Sequence, residues 1–371
     1  MNPRLEAIPG SLIRELNARK RPEHVDLGLG EPLLLPDASL LAEAAAWAAE
    51  SGCRYGPNAG LPEPRAAVAS YLGDVAPDRV ILTNGSQEAI FLAIKTVCDP
   101  ARHEVLVVEP AYPLYRKIAQ LEGIACRSVA CEAASDFAFD PAAILAEVTP
   151  ATRLIVVCSP CNPTGRIAGA AILGALAAGL ERLSDPPYVL MDEAYRELYY
   201  TPEAPPRMQA FYSRTLVAGS LSKSNALTGL RLGWLLAPED FAPLATKVHQ
   251  FLLTSANVVG QRVAQLLLER ALLGAHRPHY ARQRAAFEEA LRAHGLAFVP
   301  PEGAFYALVR LPPRLAGDSI AAARALVDEG GVVAIPGRAF GACAEGFLRC
   351  SFVAAPPALA AGAKRIAGFV A

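Results

Sequence analysis

Five runs along the chain are apolar at nearly every position and rich in β-branched residues. Runs of this kind predict strands that are buried on both faces, as the strands of a parallel sheet are. The runs are RVILT (79–83), EVLVVE (104–109), LIVVC (154–158), YVLMDE (188–193) and TLVAGS (215–220). Helical patterns fall between these runs, at 86–97, 114–122, 141–147 and 167–183. The alternation indicates βαβ units, so the sequence predicts an α/β fold whose mostly parallel sheet has helices on both faces.

After Gly233 the pattern changes to long helical stretches, at about 244–273 and 279–294, followed by a second αβ region that runs to the end of the chain. Two units of ordinary domain size account for this change. We predict a large domain over 43–272 and a smaller α/β domain built from 1–42 and 273–371.

The composition limits the kinds of molecule that the protein is expected to bind. Of the 371 residues, 53% are hydrophobic and 19% charged, which is enough to bury a large core. The formal net charge of -1 gives no electrostatic footprint for nucleic acid or an anionic membrane. The start of the chain is charged and has no signal-peptide core, and no uncharged apolar stretch reaches the ~20 residues that cross a bilayer. We therefore expect a cytoplasmic protein that acts on small molecules and engages neither nucleic acid nor membrane.

Cys158 and Cys161 form the one tightly spaced cysteine pair in the sequence, with the spacing of half a zinc site or of a redox motif. No second CxxC or nearby CxxH completes a tetrahedral ligand set. We expect reduced thiols and no bound metal.

Lys223 comes directly after the last buried run, in the segment SLSKSNALTGLRLGW. Burial would lower the pKa of its amine and leave the neutral form that attacks an aldehyde, whereas a surface lysine in a turn would have no such role. Arg231, eight residues further on, could reach an anion that is also held by Ser220 and Ser222.

Other polar residues follow the predicted strands. Asp192 ends an apolar run, where it either caps the next helix or pairs with a buried cation such as a protonated pyridine nitrogen. Tyr195 can present its hydroxyl beside that ring. Asn162, in SPCNPTG, either starts a turn or donates to a phenolic oxygen. The turn at 83–87 joins a strand to a helix through Gly85 and so offers N–H groups to an anion, although many βα turns share this pattern.

In order and approximate spacing, these motifs resemble those of the class I/II aminotransferases, which belong to the aspartate aminotransferase superfamily of fold type I pyridoxal-phosphate (PLP) enzymes. The family's S-x-S-K-x5-G-x-R motif is matched by Ser220, Ser222, Lys223, Gly229 and Arg231. Its N-P-T-G motif is matched by residues 162–165. Its D-E-x-Y motif is matched by Asp192, Glu193 and Tyr195. The resemblance covers nearly the whole chain and implies a seven-stranded type of sheet with PLP as cofactor.

The resemblance also implies roles for single residues. Lys223 would form the Schiff base with PLP and shuttle the proton, and Asp192 would keep the pyridine nitrogen protonated so that the ring accepts electrons. Asn162 and Tyr195 would bond the ring's O3′. The phosphate would be held by Gly85, Ser86, Gln87, Ser220, Ser222 and Arg231.

Four further residues match family positions around the cofactor and the substrate. Tyr112, in EPAYPLY, matches the aromatic residue that stacks on the ring, unless it is only a core aromatic at a strand end. Tyr55 resembles the tyrosine that reaches the phosphate in the neighbouring subunit, which implies a homodimer with shared sites. Arg349 matches the arginine that binds the substrate α-carboxylate bidentately, with Gly30 and Asn162 beside it; a strand-surface arginine is the alternative.

One segment departs from the family pattern. Many relatives read G-E-P-D-F where this chain has Leu33 and Leu34 after GEP, so the acid and the aromatic are replaced. We expect transamination between an L-amino acid and a 2-oxo acid by a ping-pong mechanism. A lyase, cyclase or decarboxylase of the same fold would use the same residues, and a non-catalytic PLP-binding regulator is the remaining alternative.

Overall fold

The computed structural model describes residues 3–6 and 8–371. Within them the strands are, in chain order, β1 (Val25–Asp26), β2 (Val80–Thr83), β3 (Glu104–Glu109), β4 (Ala125–Ala130), β5 (Thr152–Cys158), β6 (Tyr188–Asp192), β7 (Thr215–Ser220), β8 (Gly233–Leu236), β9 (Phe298–Val299), β10 (Tyr306–Arg310), β11 (Val332–Val333), β12 (Ile335–Pro336) and β13 (Phe347–Ser351). The α-helices are α1 (Pro3–Glu6), α2 (Leu12–Ala18), α3 (Ala38–Ser51), α4 (Pro62–Tyr71), α5 (Ser86–Val97), α6 (Leu114–Glu122), α7 (Pro141–Ala146), α8 (Ala170–Leu180), α9 (Ala242–Leu253), α10 (Val258–Glu269), α11 (Arg277–Ala293), α12 (Ser319–Asp328) and α13 (Pro356–Val370).

A seven-stranded sheet forms the centre of the molecule, with the strand order β2-β8-β7-β6-β5-β3-β4. All five apolar runs of the sequence lie in it, as β2, β3, β5, β6 and β7, and nearly every residue of these strands is buried. The pairs from β4 through β7 are parallel, whereas β8 is antiparallel to both of its neighbours. The predicted α/β fold with a mostly parallel, seven-stranded sheet is confirmed.

Two strands of this sheet lie outside the predicted runs. The edge strand β4 is mostly half-buried, so its sequence ACRSVA lacks the continuous apolar pattern of the inner strands. The strand β8 has only four residues, GWLL, and follows a polar loop. Its direction is set by that loop, because residues 221–232 turn the chain back along β7 as in a hairpin.

The prediction of one long helix over 244–273 is wrong, because the chain forms α9 and α10 with a break between them. Thr254 has a φ of 70°, which no α-helix accepts. Asn257 then caps α10 by accepting a hydrogen bond at 2.6 Å from the Gly260 N–H. The sequence TSAN at 254–257 is mostly polar and offers an N-cap residue, a local signal that the prediction from the flanking apolar periodicity did not use.

The apolar side chains form two clusters. One packs around the seven-stranded sheet, and the other packs around the four-stranded antiparallel sheet β12-β13-β10-β9 together with the pair β1-β11. The second cluster draws on both ends of the chain, from Leu16 and Leu27 to Ile366, and it also takes in Ala194, Tyr195 and Leu198 from the segment after β6.

The domain limits 43–272 and 1–42 with 273–371 stay a prediction. Among the described residues, no helix is long and apolar enough to cross a membrane.

Candidate active site

The candidate site forms where β8 pairs with two strands at once. Gly233, the first residue of β8, lies opposite Thr83 at the end of β2 and opposite Ser220 at the end of β7. A Cβ atom on Gly233 would lie 2.4 Å from the Gly219 carbonyl oxygen and 2.7 Å from the Ser86 nitrogen. Only glycine permits this approach, which brings the start of α5 against the loop between β7 and β8.

The close contact of the start of α5 with the loop between β7 and β8 assembles a set of residues that we call the anion cup: Gly85, Ser86, Gln87, Ser220, Ser222 and Arg231. Gly85 has a φ of 91° and turns the chain into the start of α5, whose first N–H groups lack partners within the helix. The guanidinium of Arg231 lies over this turn and donates at 3.3 Å to the Asn84 carbonyl and at 3.0 Å to the Thr228 carbonyl. A Cβ on Gly85 would lie 2.8 Å from Nη2 of Arg231. The geometry suits an anion, since N–H groups, a helix dipole and a guanidinium converge.

Two serine hydroxyls complete the cup. Ser220 and Ser222 are buried, and the Ser222 N–H donates to the Ser220 hydroxyl at 3.0 Å. That hydroxyl in turn donates to Oγ of Ser222 at 2.9 Å. Ser86 is half-buried and Gln87 is exposed at the rim.

Lys223 lies on the same loop, and its amine donates to the Gly30 carbonyl at 2.6 Å. Burial lowers the pKa of this amine to about 8, against an ordinary value of 10.5. The positive charges of Arg349 and Arg231 also lower the pKa, whereas Glu31 and Asp192 raise it. The amine therefore loses its proton around pH 8, more readily than an exposed lysine, as an amine nucleophile requires.

Asp192 ends β6 and is buried. The Tyr115 hydroxyl donates to its Oδ2 at 2.6 Å, and the Ala194 N–H donates to its Oδ1 at 3.0 Å. Burial raises the pKa of the carboxyl group, since a carboxylate is poorly solvated there. None of the ion pairs formed in the described part of the chain includes Asp192. A cationic group at this position would meet an uncompensated carboxylate.

Arg349, on β13, is 2% exposed, and its guanidinium is only partly satisfied. Nη1 donates to Oδ1 of Asn162 at 3.2 Å and Nη2 donates to the Gly28 carbonyl at 2.6 Å, while Nε has no partner among the described residues. The guanidinium also lies 4.3 Å from the ring centre of Tyr306 and 5.0 Å from that of Phe340. A guanidinium so enclosed binds a carboxylate strongly, because little water competes.

A segment near the N-terminus joins these groups. Lys223 binds the Gly30 carbonyl and Arg349 binds the Gly28 carbonyl, so the amine and the guanidinium contact the same short stretch of chain. A Cβ on Gly30 would lie 2.5 Å from the Tyr306 hydroxyl. That hydroxyl is 2.9 Å from the Tyr195 hydroxyl, and burial raises the pKa of both tyrosines.

The remaining predicted site residues differ in burial. Tyr112 is half-buried, and its ring meets the Tyr115 ring edge-on with centres 6.2 Å apart. Tyr55 is 89% exposed and belongs to none of the buried contacts above. Within one chain, the contacts above join one group of predicted residues around the N-terminal segment and another in the anion cup, and none of these contacts includes Tyr55. The first group is Gly30, Asn162, Tyr195, Lys223 and Arg349, and the second is Gly85, Ser220, Ser222 and Arg231.

Sequence reasoning missed Tyr115 and Tyr306, which bond Asp192 and Tyr195. Tyr115 lies in the first turn of α6 and Tyr112 precedes that helix, so no shared helix face marked Tyr115 in the sequence. Tyr306 lies in an apolar strand, where nothing local separates it from a core aromatic.

Cys158 and Cys161 are buried beside the site, and their thiols donate to the backbone carbonyls of Pro160 and Pro110 at 3.5 and 3.4 Å. Across residues 3–6 and 8–371, no group of three or more His, Cys, Asp or Glu side chains could hold a metal.

A family model described as aminotransferase class I and II matches residues 22–362. The chain belongs to the class I and II aminotransferase family. Members of this family depend on PLP, so this aminotransferase is a PLP enzyme that transfers amino groups between amino acids and 2-oxo acids. It is 32% identical to a probable N-acetyl-LL-diaminopimelate aminotransferase of Bacillus subtilis, over 100% of this chain and 95% of the relative.

Solved structures agree with this assignment. An aspartate aminotransferase from Thermus thermophilus with maleate has a TM-score of 0.91 and 29% identity, and the match covers 100% of this chain and 99% of that one. An aspartate aminotransferase from Thermotoga maritima has a TM-score of 0.92 and 27% identity, with the same coverage of both chains.

We predict that the cofactor-free aminotransferase binds added PLP covalently at a rate that rises with pH around a midpoint of about 8. Only the neutral amine of Lys223 attacks the aldehyde, and its proton is lost as the pH passes through its lowered pKa. Stopped-flow absorbance of the bound cofactor across a pH series measures the midpoint. As a control, Glu31→Gln should move the midpoint to lower pH, because Glu31 raises the pKa. A midpoint near the ordinary lysine value in the native protein would contradict the prediction.

We predict that Gly233→Ala weakens the binding of inorganic phosphate and of PLP. The added carbon would press on backbone atoms of β7 and of the start of α5, so the anion cup must open. Gly229→Ala is the matched control, because nothing lies within 4 Å of a Cβ at that position in the same loop. Calorimetry gives both dissociation constants, and circular dichroism checks the fold. Native affinities in a folded Gly233→Ala protein would show that the close approach is not needed.

Proposed function

We propose that this aminotransferase moves an amino group between an L-amino acid and a 2-oxo acid by a ping-pong mechanism, with Lys223 as the covalent anchor of PLP. The observation that carries the proposal is the pair of contacts to the segment 28–30. A deprotonatable amine and a buried, partly unpaired guanidinium both donate to its carbonyls. An α-amino acid presents an amine and a carboxylate on one carbon, so the two protein groups match its two ends.

The chemistry of the donor set fits PLP at three points. The aldehyde requires a neutral amine, which Lys223 supplies. The ring nitrogen, when protonated, requires a buried carboxylate without another ion-pair partner, which Asp192 supplies. The phosphate dianion requires N–H groups, hydroxyls and one cation, which the anion cup supplies. Tyr112 would face the ring, and Asn162 and Tyr195 would hold its phenolic oxygen.

When bound, PLP withdraws electrons from the substrate's α-carbon and so weakens its bond to hydrogen. With a substrate amine in place of its own, Nζ of Lys223 would be free to take the proton from the α-carbon and to deliver it to the cofactor carbon that carried the aldehyde. Asp192 keeps its charge facing the ring because Tyr115 and the Ala194 N–H hold both carboxylate oxygens.

Arg349 would position the substrate. Its unpaired Nε, together with a neighbouring Nη, offers the two parallel donors that a carboxylate accepts. The rings of Tyr306 and Phe340 lie within 4.3 and 5.0 Å of the guanidinium and restrict its movement. The carboxylate of the substrate is thereby held beside the amine of Lys223.

A single-turnover panel tests the reaction. The PLP-loaded enzyme is mixed with one amino acid at a time, without an acceptor. We expect the visible absorbance to bleach as one equivalent of 2-oxo acid forms per site. Arg349→Lys should raise KM for the reactive amino acid about tenfold or more with little change in the absorbance of bound PLP, because it keeps the charge but loses the paired donors. Consumption of an amino acid without its 2-oxo acid would indicate a lyase, cyclase or decarboxylase instead.

We propose further that two copies of the chain form a homodimer in which Tyr55 completes the partner's site. An exposed apolar surface supports this, formed at the end of α9 by Phe251, Leu252 and Leu253, which are 78%, 46% and 47% exposed. It continues into the Tyr55 loop, since Asn58 Nδ2 donates to the Thr254 carbonyl at 2.8 Å. Contiguous apolar surface of this kind is typical of a protein interface.

We predict that Phe251→Glu yields a monomer and lowers the affinity for PLP, because a charge in an apolar interface prevents association. Light scattering after size exclusion measures the mass, against 39.2 kDa for one chain. Leu121→Glu, at an exposed leucine of α6, is the control and should leave the mass unchanged. A native protein that runs as a monomer at all concentrations would contradict the proposal.

A further inference from the structure

A buried titratable pair lies outside the residues discussed so far. His249 on α9 is 0% exposed, and Glu88 in the first turn of α5 is 9% exposed. Nε2 of His249 is 2.9 Å from Oε1 of Glu88, and Nδ1 is 2.6 Å from the Asn58 carbonyl oxygen. Both ring nitrogens of this histidine therefore face oxygen atoms.

The geometry requires a proton between His249 and Glu88. A carbonyl oxygen only accepts, so Nδ1 must donate to Asn58. A neutral imidazole has one N–H, and Nε2 would then present a lone pair to the carboxylate oxygen. Neither Nε2 nor Oε1 has another partner among the described residues. Two lone pairs held at this distance would repel, whereas one additional proton converts the contact into a hydrogen bond.

The pair connects two parts of the proposed active site. The second oxygen of Glu88, Oε2, accepts the Asn84 N–H at 2.6 Å. The carbonyl of Asn84 accepts from Arg231, so Glu88 supports the anion cup directly. On the other side, Asn58 belongs to the loop that carries Tyr55. The chain of contacts thus runs from the Tyr55 loop through His249 to the anion cup.

We propose that His249 and Glu88 are positioning residues that share one proton and thereby fix the anion cup against the Tyr55 loop. The shared proton also offsets the charge of Glu88, which would otherwise add a carboxylate to the helix end that receives a phosphate dianion. The pair in this way sets the affinity for the phosphate of PLP. This inference rests on the proposed assignment of the cup as the phosphate site.

Two conservative variants separate the shared proton from side-chain packing. In Glu88→Gln, the amide oxygen can accept the Asn84 N–H while the amide N–H donates to Nε2 of a neutral imidazole, so every contact is kept without the extra proton. In His249→Asn, the shorter side chain can still donate to the Asn58 carbonyl but cannot reach Glu88. We expect His249→Asn to raise the dissociation constants of inorganic phosphate and PLP about tenfold or more, and Glu88→Gln to leave them within about twofold of the native values.

Proton NMR supplies a readout that does not depend on turnover. The native protein should show two slowly exchanging protons downfield of the amide region, one on each ring-nitrogen contact of His249. His249→Asn should lose both, and Glu88→Gln should lose one while it keeps its affinity for phosphate. A pair that only fills space would show neither the two downfield protons in the native protein nor the loss of just one of them in Glu88→Gln.

Two results would overturn the inference: one downfield proton in the native protein, or native phosphate affinity in His249→Asn. Neither measurement requires Lys223 or an amino acid, so failure here is distinguishable from failure of the proposed transamination.

Discussion

The hydrogen bonding of β8 to two neighbours is the constraint on which the rest of the site depends. Its first residue, Gly233, faces Thr83 on one side and Ser220 on the other. The turn after β2 and the loop after β7 therefore meet at one edge of the sheet. The first of these supplies the start of α5, and the second supplies Lys223, both serines and Arg231. Because the approach leaves no room for a Cβ, the site depends on close contact of backbone with backbone.

Burial accounts for the electrostatics of the site. Lys223 has a lowered pKa and Asp192 has a raised pKa, and desolvation is the largest cause in each case. Each group is thus moved toward its neutral form, which makes the amine of Lys223 a nucleophile and makes the carboxylate of Asp192 favour a cationic partner. Hydrogen bonds from Tyr115 and Ala194 act against this trend at Asp192 and favour the carboxylate. The site combines a reactive amine with a carboxylate that still lacks a cation.

The N-terminal segment joins the two packing clusters at the site. Its carbonyls at Gly28 and Gly30 accept from Arg349 of the small sheet and from Lys223 of the large sheet. Both donors also lie where a substrate would bind, so the segment holds the amine and the guanidinium close together before substrate arrives. This explains why a polar site of this kind is formed from residues more than a hundred positions apart in sequence.

The inner strands and the type of chemistry follow from the order of the amino acids alone. Runs such as 104–109 and 215–220 are apolar at their inner positions because both faces of the strand are covered, and the structure has the same bounds. The motifs around Lys223, Asp192 and Asn162 could be identified as one site because each follows a strand. The carboxyl ends of parallel strands meet at one edge of the sheet.

The remaining features of the site arise from contacts that form when the chain folds. The folded structure set the antiparallel direction of β8, which the preceding loop imposes. It also decided which buried hydroxyls and rings become partners: Tyr306 for Tyr195, Tyr115 for Asp192, and His249 for Glu88. Local sequence carries no record of such pairings, because they arise from contacts between segments that only the folded chain brings together.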